Sequence, residues 1–344
     1  MVEQPEQDLP RSVTIIDVAR ESGVSYSTVS RVLNGYEYVK ESTRRRVLEA
    51  AERLGYVANL QARSLAGGRS QIVGLLVPGL DNDYIGEIIR GIDEELARND
   101  YDLMLYTTHR RVGKETEYVK MIANGLTDGL LLIVPLIPST YVDILHQQRF
   151  PYVLIDQSEN GDTSSVVNAT NWQGAYDATR YLVELGHRRI GFISGMMEIS
   201  SAVERLEGYK SALDDCQIAF DESLVKQGNF WQPSGYAAAQ ELLRMDTPPS
   251  AIFSSNDLMA FGAMQAIREA GLDIPGDISI IGFDNIPMAS IVHPKLTTVH
   301  QPLDQMGRVA AKLLLEQIED PQKPARRITL GTQLIIRDSC RSFG

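Results

Sequence analysis

Sulfur is scarce in this sequence: Cys216 and Cys340 are the two cysteines in 344 residues, which excludes a small fold stapled by disulfides. No apolar run reaches the roughly 18 residues needed to span a membrane. The first residues, MVEQPEQDLPRS, are polar and acidic with no apolar stretch, so no secretory leader is expected and a cytoplasmic protein is. The phosphate cradles of nucleotide chemistry are missing too: no G-x-G-x-x-G follows an apolar run, and no G-x-x-x-x-G-K-[ST] occurs. Gly-x-Ser-x-Gly is absent. His109, His146, His187, His293 and His300 are scattered, with no metal-ligand spacing among themselves or with the cysteines. No metal and no cofactor is therefore expected, and the positive signs of an enzyme are lacking.

What is present is a chain long enough for two or three domains, with 43% hydrophobic and 23% charged residues, the balance of an ordinary globular protein. Its net charge of −12 is unevenly spread. Residues 12–69 hold nine basic and six acidic side chains and carry +3. Residues 1–11 carry −2, which leaves −13 on the rest. A basic head on an acidic body points to a head that meets an anion and a body with another task.

The head reads as helical. Ile15, Val18 and Ala19 repeat at three and four, with Thr14 as N-cap, Asp17 at the third helical position and Gly23 at the end. Ser25 opens a second helix whose apolar face is Val29, Val32 and Leu33, stopped by Asn34-Gly35. A third begins near Ser42, with Val47, Leu48, Ala51 and Leu54 inward and Gly55 as C-cap. Three short helices, the first two joined by a tight glycine turn, are a helix-turn-helix domain. Residues 57–70 form a linker with one brief helix-capable stretch from Asn59 to Ala66, too short to be stable alone in water.

From Ile72 the rhythm becomes strand and helix in alternation. Apolar runs fall at residues 72–78, 101–107, 129–135, 152–156, 189–195, 251–257, 278–284 and 333–338. Amphipathic segments separate most of them, the first carrying Ile85, Ile88, Ile89, Ile92 and Leu96 on one stripe. Strands apolar on both faces, alternating with helices, argue for parallel sheets covered on both sides. About 270 residues is generous for one such sheet, so two lobes are expected. Several runs end in polar residues: Asp156 after YVLI, Asn256-Asp257 after AIFSS, Asp284 after ISIIGF. Strand ends facing a cleft are where open α/β folds bind ligands.

The stretch from Thr14 to Asn34, TIIDVARESGVSYSTVSRVLN, closely resembles the headpiece of the lac/galactose-repressor family of bacterial transcription regulators. The likeness continues through Val39, Thr43, Arg44, Gly55 and Tyr56 into Asn59, Ala62, Arg63, Leu65 and Gly68. It extends over the body in DGLLLI, ELGHRRIGFISG, RLEGYKSAL, SNDLMAFGAMQAI, DISIIGFD and LTTVHQP, so nearly all of the chain after residue 12 is covered. The resemblance implies an N-terminal all-α helix-turn-helix headpiece on an α/β, two-lobed, periplasmic-binding-protein-like core. The domains expected are a disordered tail at 1–11, the headpiece at 12–58 and a hinge helix at 59–70. The first lobe is expected at 71–169 plus 301–330, and the second at 170–300 plus 331–344.

The resemblance also implies roles. Tyr26 and Ser27 set operator preference and Arg31 meets a base pair or phosphate, at the helix end that a recognition helix presents to the major groove. Thr14, Ser25, Thr28, Ser30 and Asn34 supply phosphate donors, which position without specifying. Hinge helices from two subunits pack in the minor groove, with Asn59 and the small Ala62 at the contact and Leu65 wedged into a base step. In the body, Asp156, Arg205, Asn256, Asp257, Asp284 and Gln301 match the effector-binding set of sugar-responsive members. Phe230 and Trp231 stand where an aromatic covers a sugar's apolar face. Asn82, Asp83 and Tyr84 replace the commoner Asn-Pro-Phe-Phe and supply first-lobe contacts, with Tyr106 a further candidate. The expected protein is a homodimeric repressor on double-stranded operator DNA, controlled by a mono- or disaccharide, with no membrane partner. A purine effector is the alternative within the same class. An exported sugar-binding protein would lack the head. A cleft glycosidase would use Asp156, Asp257 and Asp284 as acid and base.

Overall fold

The computed structural model describes residues 13–33, 38–56, 69–80, 82–157 and 164–344, in two compact units divided after Ser70. The expected tail at 1–11, the Asn34-Gly35 stop and the hinge positions Asn59, Ala62 and Leu65 lie outside the described residues.

In the first unit, α1 (Ile15–Ser22), α2 (Tyr26–Leu33) and α3 (Glu41–Leu54) pack around Val18, Val29, Val32, Val47, Ala50 and Ala51. Thr14 starts α1: its backbone N–H and its hydroxyl both donate to the Asp17 carboxylate, at 2.9 and 2.7 Å. Gly23 ends the helix in the left-handed region, φ 66°, where a Cβ would be strained. Ser25 caps α2, its hydroxyl accepting from Thr28 N–H at 3.3 Å. One expectation fails. Leu48 is half exposed because the buried stripe of α3 runs Val47, Ala50, Ala51, and a residue one step on from Val47 turns about 100° away.

The second unit holds two six-stranded sheets. One is built from β1 (Ile72–Val77), β2 (Asp102–Thr107), β3 (Gly129–Ile133), β4 (Tyr152–Ile155), β5 (Ser165–Ala169) and β11 (Arg327–Leu330). Its order is β11-β5-β4-β3-β1-β2, parallel throughout. Helices α4 (Asp83–Ala97), α5 (Val112–Ala123), α6 (Val142–Gln148) and α11 (Leu303–Glu319) belong to this lobe. The other sheet runs β12-β10-β9-β8-β6-β7. Its strands are β6 (Ile190–Ser194), β7 (Val225–Gln227), β8 (Ala251–Ser254), β9 (Ser279–Asp284), β10 (Thr297–His300) and β12 (Gln333–Ile335). Only β12 is antiparallel to its neighbour. Helices α7 (Asn171–Glu184), α8 (Ser200–Asp215), α9 (Gln232–Leu243) and α10 (Asp257–Glu269) pack on it.

All eight apolar runs supply strands, although the last is ordered into a strand only over Gln333–Ile335. The four unforeseen strands, β5, β7, β10 and β11, are three to five residues long and mixed in polarity. Two of them, β7 and β11, lie at sheet edges, where one side needs no apolar cover.

The chain passes between the lobes three times, before α7, after β10 and between β11 and β12. The first and third passages are tied by two threonines: Thr332 N–H donates to Thr170 Oγ1 at 2.9 Å, and the two hydroxyls share a bond of 2.9 Å. Within the first lobe, α4 and α11 touch backbone to backbone. A Cβ on Gly91 would lie 1.9 Å from the Asp304 carbonyl oxygen, and one on Gly307 would lie 2.1 Å from that of Ile88.

His187 is buried at the base of the second sheet, bonded to Ser250 and Ser279 hydroxyls at 2.9 and 3.0 Å and stacked on Phe343. Burial holds its imidazole below the ordinary value of 6.5. The unfolded chain then takes up a proton near 6.5 that the native chain refuses, so this residue's contribution to stability is lost as pH falls below that value. The melting temperature of His187→Gln should therefore fall less between pH 7.5 and 5.5 than that of the wild type. Equal falls would assign the acid sensitivity elsewhere.

Candidate functional site

Strand ends, helix starts and the missing side chain of Gly195 build a cavity between the lobes. From the first lobe, Asn82 caps α4 by accepting from Ile85 N–H at 2.8 Å, which turns Tyr84 inward beside Ile85. Asp156 follows β4, and Arg110 and Val134 follow β2 and β3. From the second lobe come Arg205 and Ser201 on α8, Phe230 and Trp231 before α9, Asn256 before α10, and Asp284 at the end of β9. Gly195 leaves room for the Phe230 ring, since a Cβ there would lie 2.0 Å from its Cζ.

Asp156 is the hub. It accepts from the Tyr84 hydroxyl at 2.7 Å and, across the lobes, from the Ser201 hydroxyl at 3.2 Å. Burial and the neighbouring Asp156 carboxylate push the Tyr84 phenol well above 10, so it stays a donor. Arg205 is 2% exposed, donates through Nε and Nη2 to Asn171 Oδ1, and donates through Nη1 to the Ser255 carbonyl at 2.6 Å. The same guanidinium lies 3.7 Å from Asp284 Oδ1 and 3.9 Å from the Phe283 ring centroid. Burial raises Asp284 well above the usual carboxylate range, against the opposing pull of Arg205.

Backbone strain gathers here. Of the eleven non-glycine residues with positive φ among the described residues, five line this cavity: Arg110, Val134, Asp156, Phe230 and Asp284. A β-branched valine at φ 45° is held only where the surroundings over-determine it, and such strain concentrates at binding sites.

Eight of the eleven residues expected to meet an effector line the cavity: Asn82, Tyr84, Asp156, Arg205, Phe230, Trp231, Asn256 and Asp284. Three do not. Asp83 is exposed on the first turn of α4. Asp257 is wholly buried, accepting from Thr298 Oγ1 at 2.5 Å and Ile286 N–H at 2.9 Å, and burial pushes it up to about 7. Gly282 makes space for that carboxylate, because a Cβ would stand 2.1 Å from Asp257 Oδ1. Gln301 acts behind the wall, donating to Asp284 Oδ1 at 2.7 Å. Tyr106 also stays outside, against Tyr118. Arg110, Val134, Ile199 and Ser201 were not foreseen. No motif marks them, and only the polarity of a strand end could have pointed to Arg110.

In the head, Tyr26, Ser27 and Arg31 are exposed along one side of α2 from its N-terminus, while Thr14, Ser25 and Thr28 are engaged in local caps. Ser30 is half buried on the same helix. Among the described residues, no three histidine, cysteine or acidic side chains are grouped to hold a metal ion, and no helix is long and apolar enough to cross a membrane.

A three-helix head of this kind, carried with a two-lobed core around a polar cavity, defines a class: DNA-binding regulators with a ligand-binding body. The head, residues 14–59, matches the description of bacterial regulatory proteins of the lacI family, and residues 179–340 match a periplasmic binding protein-like domain. The HTH-type transcriptional repressor PurR of Vibrio atlanticus is 35% identical over 331 residues, 96% of this chain and 99% of that one. Two solved structures are similar along nearly the whole length. A transcriptional regulator CelR–cellobiose complex is 32% identical, with TM-score 0.75, covering 95% of this chain and 99% of that one. The lac repressor dimer bound to operator and the anti-inducer ONPF is 28% identical, with TM-score 0.83, covering 96% and 100%. The chain belongs to the lacI family. It is a DNA-binding repressor of that family and not an enzyme.

Proposed function

We propose that this repressor binds a pseudo-palindromic operator as a homodimer, and that a small carbohydrate in the interlobe cavity sets its operator affinity. The observation that carries the effector reading is the pairing of two buried carboxylates, Asp156 and Asp284, with Arg205 and the aromatic residues Phe230 and Trp231 around one cavity. Hydroxyls both donate and accept, so a polyol ring satisfies carboxylates and guanidinium together while its apolar face meets an aromatic ring. The cellobiose complex of a 32%-identical relative supports this reading. The name PurR on relatives of 35% identity favours a second one, a purine in the same cavity.

A thermal-shift and calorimetric panel of mono- and disaccharides against purine bases separates the two. At 100 times Kd a ligand adds about 2.7 kcal/mol of native stability, which a melting curve reads directly. Stabilisation by a purine and by no sugar overturns the carbohydrate reading.

On the DNA side, Tyr26, Ser27 and Arg31 read base edges, Thr14, Ser25, Thr28, Ser30 and Asn34 position the backbone, and Leu65 with Asn59 and Ala62 forms the hinge contact. Ligand changes the spacing of the two hinges, with a coupling in the usual range of about 5- to 150-fold in affinity. Tyr26→Ala should relax discrimination against a mismatched half-site by about 10-fold, whereas Arg45→Ala, on an exposed basic stretch, weakens all sequences alike. Mobility shifts on operator DNA selected by the wild-type protein from a random pool measure both. An unaltered sequence preference in Tyr26→Ala would remove it from the reading set.

A further inference from the structure

The cavity wall holds a cation with donors to spare. Arg110 follows β2 and lines the cavity from the first lobe, yet its Nε and Nη1 are shut off from solvent without a hydrogen-bond partner. Its neighbours explain the gap. Glu115 is the nearest acid in electrostatic terms, but both its oxygens accept from Leu136 N–H, at 3.1 and 3.2 Å, and one also from Ile137 N–H. Asp156 is bonded to Tyr84 and Ser201, and Asp284 to Gln301 beside Arg205. The backbone is bent to deliver this side chain: His109 and Arg110 are both left-handed, φ 49° and 55°, and Arg110 N–H is pinned to Thr108 Oγ1 at 3.2 Å. Burial lowers the guanidinium pKa from its ordinary value, against the partial pull of Glu115.

A half-buried, strained guanidinium with two donors left unpaired is costly in the empty protein and is matched by an anion that accepts charge-assisted N–H bonds from it. We infer that the effector is an anionic carbohydrate: its ring hydroxyls meet Asp156, Asp284 and Arg205, and its acid group seats on Arg110. A uronate carboxylate and a sugar phosphate share this chemistry. The inference rests on the carbohydrate reading above and adds the charge.

Isothermal titration calorimetry on the full chain tests it with glucose and galactose, their uronates, their 6-phosphates, and adenine, guanine and hypoxanthine. One acidic sugar should bind about 10- to 100-fold tighter than its neutral parent, the value of charge-assisted bonds to one guanidinium. The uronate and phosphate arms identify which acid is taken. Arg110→Met should erase that preference, bringing the acid down to its neutral parent. Arg110→Lys, which keeps the charge without the planar guanidinium, should retain part of it and carries the test if the methionine variant does not fold. A neutral sugar binding as tightly as its acid, or a preference that survives Arg110→Met, overturns the inference while leaving the carbohydrate reading intact. Binding of a purine alone, or of nothing in the panel, overturns the carbohydrate reading and the inference with it.

Discussion

Arg205→Ala should lower the stability of the core by about 3–5 kcal/mol, the cost of a void at a large buried side chain together with its buried polar partners left unsatisfied. In a unit of this size that is a fall of roughly 10 °C in melting temperature. The guanidinium is sealed in the second lobe, and its five N–H groups serve the Asn171 side chain, the Ser255 carbonyl and the approach to Asp284, with its face on Phe283. Alanine removes all of these and opens a void over an aromatic ring. Lysine is no substitute, because a single ammonium cannot bridge Asn171 and Ser255 in the plane of Phe283. Whatever compound stabilises the wild-type protein should give no shift in this variant. A melting temperature equal to the wild type's would mean that Arg205 serves ligand alone and holds nothing together.

Val47→Asp should abolish operator binding, by more than 100-fold, while the response of the core to its ligand persists. Val47 is fully buried with five other small aliphatic side chains, and among the described residues that core holds no cation to pair with a carboxylate. An unpaired buried charge costs several kcal/mol. A unit of about 45 ordered residues is stable by only about 2–7 kcal/mol, so the head should unfold as a whole. Because the chain divides into two units after Ser70, ligand-induced stabilisation of residues 71–344 should remain. Loss of both properties together would show that the two units do not fold separately. Mobility shifts and melting curves on the same preparation settle it.

The legibility of the fold follows from where its signals are local. Capping at Thr14 and Asp17, the stop at Gly23 and the apolar steps Val29 and Val32 are each written within four residues, and each is realised as read. Long apolar runs such as Ile72–Val77 are strands because both faces are covered. Short strands escape: Arg327–Leu330 alternates exposed and half-buried residues and becomes a strand only because β5 offers it a free edge. The site divides in the same way. Asp156, Asn256 and Asp284 are legible as polar ends of apolar strands. Asp257 sits beside Asn256 in sequence, yet one further step turns its carboxylate behind the wall toward Thr298 and Ile286. Arg110 is marked only by its position past a strand end, since its place depends on two successive left-handed residues that no composition announces.

The order in which the strands enter the first sheet bears on how the protein is made. Lobe one begins at Ile72, but its layer over α4 is α11, Leu303–Glu319, and its edge is β11, Arg327–Leu330. Met306, Ala310, Leu314 and Ile318 of α11 complete the core that Ile85, Ile88, Ile92 and Leu96 of α4 begin. On the ribosome, then, the lobe translated first is the one left unfinished. The nine strands and helices of the second lobe from β6 to β10 and α7 to α10 have all been translated before α11 exists to cover α4. The second lobe lacks only the short antiparallel strand β12 at that stage. During synthesis at about 5–20 residues per second, the apolar stripe of α4 stays open for the ten seconds or more that some 200 further residues take. That interval is when a chaperone would find this chain, and a truncation that keeps α4 but ends before residue 303 should yield an insoluble product.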